Sequence, residues 1–165
     1  MFKKWMVLGM ALILILACAA AAAESAEELL RKGIAYYDGV GVERDPAKAV
    51  QFFRQAADLG NADAMDYLAT CYMYGDGVEE NQTEANRWFT KAAEGGNTTS
   101  MFTLGSAYES SDPPAAFKWM KKAAELGDAN AMYTLGYYYE EGIGTEKDEA
   151  KAEEWYRCAN EAWDQ

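Results

Sequence analysis

A motif that recurs along this 165-residue chain constrains its fold more than any other feature. Tyrosine residues mark the recurrence at spacings of 36, 36 and 31 residues: Tyr36, Tyr72, Tyr108 and Tyr139. A bulky aromatic residue follows in each copy: Phe52, Trp88, Trp119 and Trp155. Recurrence with a period of this size is the sequence signature of a stacked repeat array. We therefore predict four units, at residues 26–61, 62–97, 98–128 and 129–162.

Each unit has the hydrophobic periodicity of two helices. In the second unit, the first helix places apolar side chains at i, i+3, i+4 and i+7: Met65, Leu68, Ala69 and Tyr72. Small residues share one column of the four first helices: Gly33, Ala69, Gly105 and Gly136. Because protein interiors are close-packed, we expect the rings of the second helices, such as Trp88, to approach at these small residues.

Glycine and helix-capping residues separate the predicted helices. The loop within a unit is glycine-rich at residues 39–42 and 75–78, and glycine permits a positive φ there. Asp45 and Pro46 start the next helix, with the Asp as N-cap and the Pro in the first helical position. Together with the periodicity, these signals predict an all-α fold, an α-solenoid of about four helix-turn-helix repeats.

The consensus of the copies, A-x-A-M-x-x-L-G-x-x-Y-x-x-G-x-G-V … A-x-x-W-x-x-K-A-A-x-x-G-N, resembles the Sel-one-like repeat, a relative of the tetratricopeptide repeat. The resemblance covers residues 26–162. The G-x-G-V loop distinguishes this pattern from the tetratricopeptide unit. The resemblance implies an α-solenoid scaffold that mediates contacts between proteins.

Residues 1–23 differ from the repeats in composition. Lys3 and Lys4 precede an apolar run over residues 5–23, which is typical of a secretory leader. Three fates remain open: cleavage after the alanine-rich end, lipidation at Cys18 after a lipoprotein-like cleavage box, or retention as an uncleaved anchor. All three place the repeats on the far side of the membrane, so we expect an extracytoplasmic protein, periplasmic, membrane-anchored or secreted.

The acidic net charge of the chain indicates which kinds of partner it can bind. Without Lys3 and Lys4, the chain has 13 basic and 27 acidic residues, a net charge of −14. Such a surface repels nucleic acid and anionic lipid. We expect a protein or peptide partner and no nucleic acid, with membrane contact only through the leader or a lipid on Cys18.

The sequence lacks the residues of the common catalytic and metal sites. It contains no His, which removes His-based general base catalysis and the usual zinc ligand. Cys71 and Cys158 lie two repeats apart, beyond the Cα separation of about 7 Å that a disulfide allows. A cysteine-rich branch of the resembled family is associated with β-lactam hydrolysis, but regular cysteine pairs and S-x-x-K are absent. We predict a non-enzymatic protein without cofactor or metal; the alternatives are a hydrolase acting on β-lactams or peptidoglycan, and a secreted effector.

Aromatic residues at non-consensus positions of the first helices suggest a partner site. First helices usually line the concave side of such arrays, and exposed aromatic side chains favour interaction sites. We predict a groove for an extended peptide or a helix that uses four such residues: Tyr37, Phe102, Tyr133 and Tyr137. The alternative is that these rings pack on the next repeat or cover the ends of a short array.

Overall fold

The computed structural model describes residues 24–164, which form eight α-helices and no strand. In chain order they are α1 (Ala26–Asp38), α2 (Pro46–Asp58), α3 (Ala62–Tyr74), α4 (Gln82–Glu94), α5 (Thr98–Tyr108), α6 (Pro113–Glu125), α7 (Ala129–Glu141) and α8 (Glu149–Trp163). The predicted leader over residues 1–23, with Cys18, lies outside the described residues.

The helices pack in the order of the sequence. Within each unit the two helices contact each other, and the second helix contacts the first helix of the next unit. The buried side chains of all eight described helices form one continuous hydrophobic cluster. The predicted all-α solenoid of four helix pairs is therefore confirmed.

Local sequence explains where the helices begin and end. Every described helix has a side chain that accepts a hydrogen bond from a backbone N–H of its first turn: Ser25, Asp45, Asn61, Asn81, Asn97, Asp112, Asp128 and Asp148. Such caps satisfy donors that the helix itself leaves unpaired. Three of the four first helices end at a left-handed glycine: Gly39, Gly75 and Gly142. These short-range signals set the boundaries of each helix pair.

The small residues on the first helices pack against side chains one position later on the second helices than the expected rings, such as Met120 against Gly105. A Cβ added to Gly33 would lie 2.5 Å from the Phe53 ring, and one added to Gly136 would lie 2.8 Å from Tyr156. The expectation that rings such as Trp88 meet these residues is therefore wrong by one residue, because the side chain that follows each expected ring makes the contact, as Phe53 does in place of Phe52. Trp88 is buried with Lys91 and Arg87 over its ring, at 4.2 and 4.8 Å from the centroid.

Candidate functional site

An open groove of about 500 Å³ crosses the first helices of the first three units. Its lining comes from α1, α3 and α5: Leu30, Ile34, Tyr37, Asp63, Asp66, Tyr67, Thr70, Asn97 and Thr99. We call it the first-helix groove. A larger cavity of about 800 Å³ is lined by the loop after α1 and the start of α2, outside the face predicted for a partner. Of the four residues predicted to bind a partner, Tyr37 lines the first-helix groove.

The groove has an acidic lining. Asp63 and Asp66, which we call its floor, are its charged residues, and its lining includes no Lys or Arg. The Asn97 side-chain amide donates to Asp63 at 2.8 Å, and the Ser100 hydroxyl donates to Asp66 at 2.5 Å, so both contacts join α3 to α5. Burial raises the pKa of the Asp66 carboxyl, against the Ser100 hydrogen bond, which lowers it. The floor thus favours a ligand that brings positive charge or hydrogen-bond donors.

Tyr37 forms one wall of the groove and also joins the first two units. Its hydroxyl donates to Asp76 Oδ2 at 2.9 Å, in the loop after α3. Its ring centroid lies 6.1 Å from that of Phe53 and 6.3 Å from that of Tyr67. The side chain is half-buried. Its position is therefore fixed by the neighbouring repeat while one side still borders the groove.

The Tyr37 contact predicts a loss of stability at alkaline pH. Burial first, and then the hydrogen bond to Asp76, raise the pKa of Tyr37 from 10.0 to about 12. The folded state therefore favours the protonated phenol, a stabilisation that is complete below pH 10 and lost as the pH rises towards 12. Urea unfolding at pH 9 and pH 11.5 measures it. Tyr37→Phe is expected to lose less stability over this interval than the parent chain; equal losses would contradict the assignment.

The other three predicted aromatic residues lie further along the array. Phe102 is half-buried and packs against the core. Tyr133 is 51% exposed and Tyr137 is 43% exposed, both on α7. The Tyr133 ring lies 5.0 Å from Tyr156 and 5.8 Å from Trp163. The structure thus places Tyr37 at the groove and gathers Tyr133 with residues of α8, so the four do not form one cluster.

Several groove residues escaped the sequence-based prediction. Asp63, Tyr67, Asn97 and Thr99 line the groove but were not predicted to be part of a site. Asp66 and Thr70 do carry a detectable signal, because they are polar where the first unit has Leu30 and Ile34. Comparing the same column across repeats therefore identifies candidates that a search for aromatic residues misses.

The described residues offer little reactive chemistry outside the groove. Burial raises the pKa of the Cys71 thiol to about 12, so it is protonated at neutral pH and unreactive. Cys71 and Cys158 are both free. Within residues 24–164, no cluster of three or more His, Cys, Asp or Glu side chains is arranged to bind a metal ion. In the same range, no helix combines the length and apolar character needed to cross a bilayer.

Helix pairs that stack in sequence order, with a groove along their first helices, define an α-solenoid repeat protein. The Sel1 repeat model matches residues 26–61, 62–97, 100–128 and 129–162, and the chain belongs to this family. The resemblance noted in the sequence is thereby confirmed. Sel1 repeat proteins are generally scaffolds for protein–protein interaction, and the fold is typically non-catalytic.

Solved structures share the architecture. A Sel1 repeat protein from Oxalobacter formigenes is 30% identical, with a TM-score of 0.78 over 84% of this chain and 58% of that one. The protein c5321, a protective antigen present in uropathogenic Escherichia coli, is 32% identical, with a TM-score of 0.74 over 86% of this chain and 32% of that one. The chain therefore spans less than two thirds of either relative. Helicobacter pylori cysteine-rich protein B is 25% identical, with a TM-score of 0.56 over 75% of this chain and 92% of that one. None of the functionally curated proteins matches the chain.

Proposed function

We propose that this protein is a non-enzymatic, extracytoplasmic scaffold that binds a segment of a protein partner in the first-helix groove. The observation that carries the proposal is the groove's lining, which combines aromatic and aliphatic side chains with two carboxylates over three consecutive units. The apolar side chains can contact apolar groups of a partner, and the carboxylates can accept hydrogen bonds that orient it, a combination typical of protein interfaces.

The shape of the groove favours a polypeptide over a small molecule. Its lining runs from α1 across α3 to α5, so a ligand that fills it must be elongated. Small-molecule sites, by contrast, usually enclose most of their ligand. An extended peptide or an amphipathic helix can place one apolar side chain beside Ile34 and Tyr67 and a donor beside Asp66.

The aromatic residues extend the proposed face beyond the groove. Tyr37 borders it directly, and Phe102 lies on α5, the last helix that contributes to it. Tyr133 and Tyr137 lie one unit further on and are exposed. Exposed aromatic side chains supply much of the binding energy in protein interfaces, so the proposed binding face includes all four.

The proposed location outside the cytoplasm rests on the leader-like composition of residues 1–23. Cys18, within this segment, is the proposed lipidation site if the leader is processed as that of a lipoprotein. The acidic chain, at −14 without Lys3 and Lys4, supports a protein or peptide partner and disfavours nucleic acid. Contact with a membrane is proposed only through the leader or a lipid on Cys18.

Site-specific photo-crosslinking tests the groove. A benzophenone amino acid is placed at Thr70, inside the groove, or at Gln51, exposed on α2, in the full chain expressed in its own host. We expect a protein adduct at position 70 that is absent at position 51. Adding Asp66→Lys, which reverses the charge of the floor, is expected to reduce that adduct about tenfold, equivalent to about 1.4 kcal/mol of binding.

Two outcomes would count against the groove. One is the absence of any protein adduct at position 70. The other is an adduct that forms equally well at position 51 or persists undiminished with Asp66→Lys. A circular dichroism melting curve for each variant establishes that the fold is retained, so that a lost adduct reports on binding.

A further inference from the structure

Basic residues are unevenly distributed between the two helices of a unit. Every second helix, α2, α4, α6 and α8, contains Lys or Arg. The first helices of the last three units, α3, α5 and α7, contain neither, and the charged residues of α3 and α7 are all acidic. On α1, Arg31 and Lys32 line a separate cavity with Glu24 and Glu28, and Lys32 pairs with Glu24. The first-helix groove therefore lies on a side of the array that is acidic in its own right.

Cation–π contacts hold one lysine of each second helix at a ring outside the groove. The Nζ atoms lie between 4.1 and 5.2 Å from the ring centroids. The pairs, in chain order, are Lys48 over Tyr36, Lys91 over Trp88, Lys122 over Trp119 and Lys151 over Tyr139. None of these four rings lines the groove. These lysines are thus engaged elsewhere and do not compensate the negative charge of the groove.

The two carboxylates of the floor have neutral hydrogen-bond partners. Asp63 Oδ1 accepts from the Asn97 amide, and Asp66 Oδ1 accepts from the Ser100 hydroxyl. Within residues 24–164, neither carboxylate belongs to an ion pair. Burial, and in addition the negative charge of Asp63, raise the pKa of Asp66. The second effect is repulsion between like charges, which a cation bound beside the two carboxylates would relieve.

The apolar part of the lining suits the hydrocarbon stem of a basic side chain. Leu30 and Ile34 are aliphatic, and the Tyr67 ring is held by stacking on Phe53 with centroids 4.9 Å apart. Lysine and arginine lay their stems along apolar surface and carry the charge at the far end. Such a stem can lie along Ile34 and Tyr67 while its ammonium or guanidinium group reaches the floor. The lining therefore matches both parts of such a side chain.

We propose that the partner segment bound in the first-helix groove carries a lysine or arginine side chain, flanked by apolar residues, whose charge is received by Asp63 and Asp66. The inference rests on the proposed function, because it names the chemistry of the partner for that same groove. An acidic segment would add like charges to the floor. A wholly apolar segment would bury two carboxylates without a charged partner, at an energetic cost. The hydrogen bonds from Asn97 and Ser100 fix both carboxylates before binding, which lowers the entropy lost when the segment binds.

The captured segment is identified first. The benzophenone residue at position 70 of the full chain, expressed in its own host, forms the adduct. The adduct is digested with a protease that cleaves after aromatic residues, so that basic residues stay within the peptides. We expect mass spectrometry to find a Lys or Arg of the partner within about four residues of the attachment point, a span of about 13 Å in an extended chain.

Neutralising the floor tests the role of its charge. Asp63→Asn combined with Asp66→Asn removes both charges, while the amide oxygens still accept from Asn97 and Ser100. We expect the yield of the adduct at position 70 to fall about tenfold. The matched control, Asp58→Asn combined with Glu94→Gln, removes two exposed charges from α2 and α4 and should leave the yield unchanged. Circular dichroism melting curves establish that both variants fold.

A charge exchange completes the test. Asp66→Lys is combined with replacement of the identified basic residue of the partner by glutamate. We expect this exchange to restore an adduct that Asp66→Lys alone reduces, because opposite charges again meet at the floor.

Three results would overturn the basic segment. They are a captured segment without Lys or Arg in reach, a yield unchanged by the two Asn substitutions, and a charge exchange that restores nothing. With each of them, an adduct at position 70 that is absent at position 51 would still support the groove as a protein-binding site. The absence of that adduct would overturn both proposals together.

Discussion

Replacing Phe53 by alanine is expected to lower the free energy of unfolding by about 3–5 kcal/mol, the range for large aromatic residues in cores. Phe53 is fully buried on α2. Its ring contacts the Gly33 backbone and stacks on Tyr67 at 4.9 Å, so it joins the two helices of the first unit to the second unit. The cavity left by alanine would remove contacts from both units at once. Urea unfolding followed by circular dichroism measures the change.

The neighbouring residue provides the matched control. Phe52 has the same side chain, but it is half-buried and stacks on Tyr36 with ring centroids 5.6 Å apart. Because it buries less area, Phe52→Ala is expected to cost clearly less than Phe53→Ala. Equal costs at the two positions would mean that the ring in contact with Gly33 does not anchor the unit.

The architecture was predictable because its signals are short-range and repeated. The spacing of Tyr36 and Tyr72 sets the unit, and each helix begins at a side chain such as Asp45 that caps it. Because the pattern occurs four times, a single ambiguous segment does not change the assignment of helices and repeat boundaries. Stacking then follows, since a single helix pair cannot bury its apolar side alone.

The pairing of rings with small residues was not predictable to the residue. Trp88 was expected at the small column, but the small residues meet side chains one position further along the second helix, starting with Phe53 at Gly33. One residue along a helix turns a side chain by about 100°. Both columns are aromatic or apolar, so the hydrophobic pattern does not decide which of them faces the first helix.

The candidate site depends on contacts between units, which periodicity alone does not give. Tyr37 is half-buried, and the second unit supplies both the Asp76 carboxylate at its hydroxyl and the Tyr67 ring beside it. Tyr133 is exposed because no described helix covers it, and it packs with Trp163 instead. The same kind of residue on the same helix side thus has different surroundings according to its place in the array.

Replacing Gly77 by alanine is expected to destabilise the protein by about 2–5 kcal/mol. Gly77 has φ of +73°, where a residue with a Cβ loses about 1–2 kcal/mol. A Cβ there would also overlap the backbone at Pro46, at the start of α2 in the preceding unit. Relieving such an overlap between packed units adds about 1–3 kcal/mol. Thermal unfolding and urea titration measure the sum.

Gly41 separates the two contributions, because it occupies the same position in the first unit. Its φ is +76°, and a Cβ added there meets no atom within 4 Å. Gly41→Ala should therefore cost only the conformational part, about 1–2 kcal/mol. The difference between the two variants then measures how tightly the loop of one unit is held against the helix of the unit before it. Equal losses for Gly41→Ala and Gly77→Ala would show that this contact adds nothing to the stacking of the array.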